Sequence, residues 1–250
     1  MSKNFEILNK EINENNIIAN LFIFPFAGGG VSAFRKWKDE FEDIKLFVAQ
    51  YPGRENRFSE KAISDINILV DSLFEDMKES FDFRKPYYLF GHSMGTKIVY
   101  ELALRIKNSD YINPRGIIIS GGRAPLYKEP LPIYHLDDDG FIEGLRRYEG
   151  TPKEILDNND LISIFLPTLR ADFVIDEDYQ DTKFEKLESP LLGLMGDKDQ
   201  EMTLDELTKW QDYTTKEFTY RYIDGKHMFV NTSPDSVIKE IKEFIKVNEN

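Results

Sequence analysis

Gly91-His92-Ser93-Met94-Gly95 restricts this chain more than any other segment. A G-x-S-x-G pentapeptide is a modest signal alone, because glycine and serine are common. Here a compact apolar run at residues 87–90 leads into it, and Ile98, Leu102 and Ile106 stripe an amphipathic helix leading out. Strand, tight turn and helix in that order lift a serine hydroxyl above the end of a sheet. Glycine is needed at 91 and 95 because side chains there would collide with neighbouring backbone. The helix start behind Ser93 brings amides and the positive end of its dipole to where negative charge would develop. The plain alternative is a serine N-cap in a glycine turn.

The rest of the chain repeats the alternation. Apolar runs at 21–24, 46–49, 117–119, 191–195 and 218–223 read as strands. Ser64 is the expected N-cap of a helix carrying Ile66, Leu69, Val70, Leu73, Phe74 and Met77. Thr203 and Glu206 make a capping box, and Ser233-Pro234 opens a terminal helix with Val237, Ile238, Ile241, Phe244 and Ile245 inward. Such alternation predicts an α/β protein with a mostly parallel sheet covered on both faces. With a polar prefix of about fifteen residues set aside, the length fits a single domain spanning 1–250.

Between about residues 126 and 184 no buried strand is legible. Helical pieces take its place: 141–148, a Thr151-Pro152-x-Glu154 capping box, and 161–173. A helical insertion between two sheet strands reads as a lid over an active site, against the alternative of a helical excursion without a role in access.

A serine needs a base to act as a nucleophile, and there are three histidines. His92 is inside the turn and cannot easily face its neighbour's hydroxyl, and His135 lies in the insertion. His227 follows the strand at 218–223 in Asp224-Gly225-Lys226-His227-Met228-Phe229 and is the expected base. The orienting carboxylate is expected from Gly196-Asp197-Lys198-Asp199, just past a strand end, with Asp199 preferred over Asp197 and Asp224. The order Ser93, Asp199, His227 is that of α/β-hydrolases. Met94 would donate one oxyanion-hole amide. The other would come from the loop Phe24-Pro25-Phe26-Ala27-Gly28-Gly29-Gly30, where Pro25 has no N–H and Phe26 or Ala27 is the donor. Those glycines match neither phosphate-binding fingerprint.

Composition narrows the function further. The chain has no cysteine, which removes disulfides and a thiol nucleophile, and three histidines argue against a histidine-rich metal site. A formal charge of -13 makes a general nucleic-acid or anionic-membrane binder unlikely to be the answer on physical grounds, and no apolar run approaches a membrane span. The polar N-terminus lacks a signal-peptide core, so the cytoplasm is expected. A monomer without metal or organic cofactor completes the expectation.

Together these segments resemble the type II thioesterases that accompany nonribosomal peptide and polyketide synthetases. The likeness runs through Phe24-Pro25-Phe26-Ala27-Gly28-Gly29, Tyr51-Pro52-Gly53-Arg54, the elbow, Leu166-Pro167-Thr168-Leu169-Arg170-Ala171-Asp172-Phe173, Gly196-x-x-Asp199 and Gly225-x-His227-Met228-Phe229. Thr96 and Lys226 stand where that family commonly has glycine, and an inward Lys226 ammonium would lower the pKa of His227. The resemblance implies an α/β-hydrolase fold and hydrolysis of acyl or aminoacyl thioesters on the phosphopantetheine arm of carrier proteins. Those carriers are usually acidic too, so docking would rest on apolar contact, with Arg146-Arg147 as a local basic patch or a solvated helix face. A carboxylesterase using the same triad and a non-catalytic binding protein are the rival readings.

Overall fold

The computed structural model describes residues 2–249. Seven strands form one sheet: β1 (Phe5–Ile7), β2 (Ala19–Phe24), β3 (Ile44–Ala49), β4 (Tyr87–His92), β5 (Gly116–Ser120), β6 (Leu191–Gly196) and β7 (Phe218–Ile223). Their spatial order is β1-β3-β2-β4-β5-β6-β7. All neighbours pair in parallel except β1, which runs antiparallel to β3. Strands buried on both faces read as continuous apolar runs, which is why β2, β4, β5 and β6 were visible in the sequence.

Alternate residues of these strands enter two separate cores. Phe22, Phe24, Leu89, Ile117 and Ile119 pack against helices α1 (Ile66–Ser80) and α2 (Met94–Lys107). Leu21, Ile23, Phe90, Ile118 and Leu194 pack on the other face, against the 3-10 segment Val31–Asp39 and the terminal helix. Between β5 and β6 lie α3 (Asp138–Tyr148), α4 (Lys153–Leu156) and α5 (Asn159–Glu177). They share a small core of their own, including Phe141, Leu145, Leu169 and Phe173. Three helices complete the chain: α6 (Leu204–Thr208), α7 (Phe229–Thr232) and α8 (Pro234–Glu249).

Three local expectations are corrected. The polar prefix contains β1: Phe5 is its one buried residue, and main-chain pairing with β3 holds this short strand within the polar stretch. Helix α1 is capped by Asp65, not Ser64; the Asp65 carboxylate accepts from the amides of Asn67 and Ile68. No box joins Thr151 to Glu154, because α4 begins one residue later, with Pro152 in the capping position. The Thr203–Glu206 box is present, with both of its hydrogen bonds.

Helix α5 is divided by Pro167, which lacks an N–H for the helical ladder. Ahead of it Leu161, Ile164 and Phe165 are exposed. Behind it Thr168, Asp172 and Asp176, spaced four apart on one face, turn into the body of the protein and are buried. Glu177 is buried beside them. Its carboxylate accepts from the amides of Ile133 and Tyr134 at 2.7 and 2.8 Å and from the Tyr148 hydroxyl at 3.0 Å. Burial outweighs these hydrogen bonds and raises its pKa to about 7. A carboxyl whose folded pKa lies above its unfolded value supports folding while protonated, and that support is lost as pH rises toward about 7. Glu177→Gln is therefore expected to melt higher relative to the parent at pH 8 than at pH 5. Thermal melts of both proteins across that range check it, and a difference independent of pH would contradict the assignment.

Candidate active site

The turn after β4 sets the nucleophile. Ser93 sits at φ 53° and ψ -118°, a conformation L-residues adopt rarely and at a cost. Neighbouring backbone holds it there: the Ser93 amide donates to the Ser120 carbonyl at 2.9 Å, and the Thr96 amide and hydroxyl both donate to the Ser93 carbonyl. A Cβ on Gly95 would run into the Phe24 carbonyl, and one on Gly91 into the Gly95 carbonyl. Thr96, which stands where the resembled family commonly has glycine, thus adds a hydrogen bond that closes the turn.

The loops after β6 and β7 bring the other two groups together. The Asp197 amide donates to the Ile223 carbonyl, the Lys198 amide to the Gly225 carbonyl, and the Gly225 amide to the Asp197 carboxylate at 2.9 Å. Asp197 is thus a loop tie, and Asp224 pairs with Lys198 at the surface. Asp199 is fully buried on its side chain. One of its oxygens accepts from the Glu201 amide at 2.9 Å and the other meets His227 Nδ1 at 3.0 Å. His227 Nε2 lies 3.0 Å from Ser93 Oγ. The structure brings Ser93, His227 and Asp199 into one hydrogen-bonded series and leaves the other candidates out.

Burial depresses the His227 pKa, but the hydrogen bond and charge of Asp199, aided by Asp176 and Glu201, outweigh it, and the net shift is upward. Lys226 is turned away and pairs with Glu149 at 2.6 Å, so the inward ammonium that would have lowered that pKa is not present. His92 is fully buried, with Nδ1 2.9 Å from Ser120 Oγ, and burial pushes its pKa well down. It is a packed neutral residue. His135 is exposed in the helical insertion.

Two small cavities flank Ser93, of about 30 and 20 Å³. The first is walled by Lys97, Arg123, Glu129, Asp176 and Glu201, the second by Phe26, Ala27, Leu145, Phe173 and Met228, and both reach His227 and Tyr148. The loop at 26–27 therefore faces the serine, as an oxyanion donor must. Arg146 pairs with Glu143 and Asp157, and Arg147 with Glu129 and Glu201, so this pair is neutralised in place and forms no open basic patch. Among the described residues no group of acidic and histidine side chains could hold a metal.

Sequence reading missed the polar groups that brace the site. Asp176 receives the Lys97 ammonium, joining α5 to the elbow helix. Asp172 receives the Arg54 guanidinium across a long sequence separation. Arg54 and Asp172 stood in two of the family-like motifs, and their opposite charges were the available signal. Lys97 and Asp176 offered none.

A mostly parallel sheet with a serine on the sharp turn after its central strand is the α/β-hydrolase class of enzyme. The thioesterase domain profile matches residues 19–245, and the chain belongs to that family, whose members cleave thioesters. The gramicidin S biosynthesis protein GrsT of Aneurinibacillus migulanus is 36% identical over 221 residues, covering 88% of this chain and 86% of its own. LgrE of Brevibacillus parabrevis, named a linear gramicidin dehydrogenase, is 33% identical over 231 residues, covering 90% and 87%. The solved structure of YbtT, the type II thioesterase of the yersiniabactin NRPS/PKS pathway, superimposes with a TM-score of 0.89 at 29% identity over 98% of this chain and 99% of that one. The expected likeness to type II thioesterases is borne out.

The raised His227 pKa fixes a pH dependence. An imidazole must be neutral to accept a proton, so rate is lost as pH falls through its pKa. The acid limb of kcat/KM is expected above 6.5, the ordinary histidine value. Asp199→Asn should move that limb to lower pH and reduce kcat about 10⁴-fold. A pH–rate profile of both proteins checks it; an unmoved limb would assign the ionisation elsewhere.

Proposed function

We propose that Ser93, His227 and Asp199 are the catalytic triad of a thioesterase that clears acyl or aminoacyl groups from the phosphopantetheine arms of carrier proteins. The observation that carries the triad is the unbroken pair of 3.0 Å contacts from carboxylate to imidazole to hydroxyl, beside the loop at 26–27. The reading places the work in the cytoplasm and treats residues 1–250 as one domain acting as a monomer. No helix among the described residues is long and apolar enough to cross a membrane.

The mechanism follows from these positions. Ser93 Oγ attacks the thioester carbonyl carbon as His227 Nε2 takes the hydroxyl proton, and Asp199 holds the imidazole by Nδ1 and stabilises its charge. The carbonyl electrons move to oxygen, where the amide of Met94 and that of Phe26 or Ala27 receive them. Collapse breaks the carbon–sulfur bond, and His227 returns the proton to sulfur. A thiol, with a pKa near 8.5, leaves readily. Water then gives a proton to His227 as its oxygen attacks the acyl carbon; collapse breaks the carbon–Oγ bond, and His227 returns the proton to Ser93 Oγ as the carboxylic acid leaves. No step calls for a metal or organic cofactor, and the pantetheine enters as part of the substrate.

The cavities beside Ser93 hold no more than a water molecule's share of volume. An acyl-pantetheine needs more room than that, and the walls that Leu145, Tyr148, Gly150 and Thr151 supply must move to admit it, which supports reading residues 126–184 as a lid. The exposed Leu161, Ile164 and Phe165 on that segment suit the apolar docking that two acidic partners need. The oxidoreductase name of LgrE has no counterpart around Ser93, where the groups are those of acyl transfer.

Ser93→Ala is expected to abolish labelling by a fluorophosphonate and cut kcat by about 10⁴-fold or more. A panel of acyl chains on a carrier protein, on free CoA and as p-nitrophenyl esters tests the substrate. The expected order places the carrier first. Equal rates on carrier and CoA would remove carrier recognition, and a much larger kcat/KM on the oxygen esters would make the protein a carboxylesterase.

A further inference from the structure

We propose that Asp172 is a positioning residue for the oxyanion hole: from the rear half of α5 it holds the loop at 26–29 in register with Ser93, through Arg54 and the Gly28 amide. This rests on the assignment of Phe26 or Ala27 as an oxyanion donor.

The loop is gripped from three sides. Asp172, 1% exposed, accepts the Gly28 amide on Oδ2 at 2.7 Å. The same oxygen receives Arg54 Nη1 at 2.6 Å while Oδ1 receives Nη2 at 2.7 Å, a two-point pairing of planar groups. Arg54 Nη1 also donates to the Gly29 carbonyl at 3.1 Å, so one guanidinium joins the carboxylate to the next loop residue. At the far end Glu55, the neighbour of Arg54, accepts the amides of Val31 and Ser32 at 3.0 and 2.9 Å. On the near side Gly95 of the elbow leaves no room between itself and the Phe24 carbonyl.

These bonds act on the segment that presents the donor. Gly28 has φ 75°, and Leu169, one helical turn before Phe173, closes over it. Thr168 fixes the helix below by donating to the Gly53 carbonyl at 2.8 Å, next to Arg54. Donors must meet the developing oxyanion within a few tenths of an ångström, and a loop amide has no stiffness of its own. Asp172 touches no reacting atom; its effect reaches the substrate through the loop.

A single Asp172 substitution leaves the Arg54 charge buried and unpaired, which can prevent folding. The test therefore pairs Asp172→Leu with Arg54→Met, an apolar replacement of similar volume, and adds Asp172→Asn in the same Arg54→Met background, which keeps an oxygen for the Gly28 amide with no charge left unpaired. Active sites are titrated with a fluorophosphonate, then kcat, KM and the affinity for an alkylboronic acid, which forms a tetrahedral adduct on serine, are measured. The paired variant should lose on the order of tenfold to a hundredfold in kcat per titrated site, with KM changed less than about threefold and boronate affinity lost by the same factor as kcat. Asp172→Asn should recover part of both. A purely structural ion pair would lower the melting temperature and the titrated fraction, leaving kcat per site and boronate affinity as in the parent; that result overturns the proposal, as does a loss of kcat without a loss of boronate affinity. A parent protein that is labelled but binds no boronate overturns the oxyanion assignment instead.

Discussion

Ser93 is held in a backbone conformation that costs about 1–3 kcal/mol for a residue with a side chain. What sustains it is the contact between the turn and the first β-loop, so close that no atom fits between Gly95 and the Phe24 carbonyl. Relaxing the turn would mean pulling α2 from the sheet, where Ile98, Val99, Leu102 and Ile106 are buried. The apolar core on one face thus stabilises the strain at the sheet's end, and the strain presents the hydroxyl. The same contact places the nucleophile and the loop at 26–27 side by side from the moment the sheet forms.

The charged groups around this site are arranged by pairing, because an isolated buried charge would be far too costly. Arg54 with Asp172 and Lys97 with Asp176 are two cross-links from α5, one to the loop at 26–29 and one to the elbow helix. Asp199 gives its two oxygens to a backbone amide and to His227. Neutralisation of each carboxylate by a fixed donor keeps the interior electrostatically ordered in a protein whose surface is strongly negative.

The strands at the centre were legible because they are buried on both faces, and the hydrogen-bonded series of Ser93, His227 and Asp199 because its members sit just past strand ends, where the topology leaves few choices. Asp199 over Asp197 could be read from its distance past the turn. The edge strand β1 was not legible, since one buried phenylalanine in a polar stretch makes no pattern and the pairing is supplied by β3. Nor were the two α5 cross-links, whose partners lie far apart in the sequence. The environment of His227 was not legible for a related reason: Lys226 is adjacent in sequence but faces Glu149, while three carboxylates from other segments raise the imidazole's pKa.

The stripe of Thr168, Asp172 and Asp176 bears on how such a chain can change over time. A residue added or removed between them would rotate everything beyond by about 100° and carry a carboxylate away from its partner. Length is therefore frozen in the rear half of α5, and growth or shrinkage of the insertion is free only upstream of Pro167. Descendants of this sequence can reshape the insertion ahead of Pro167 while the distance from helix to Ser93 is inherited unchanged.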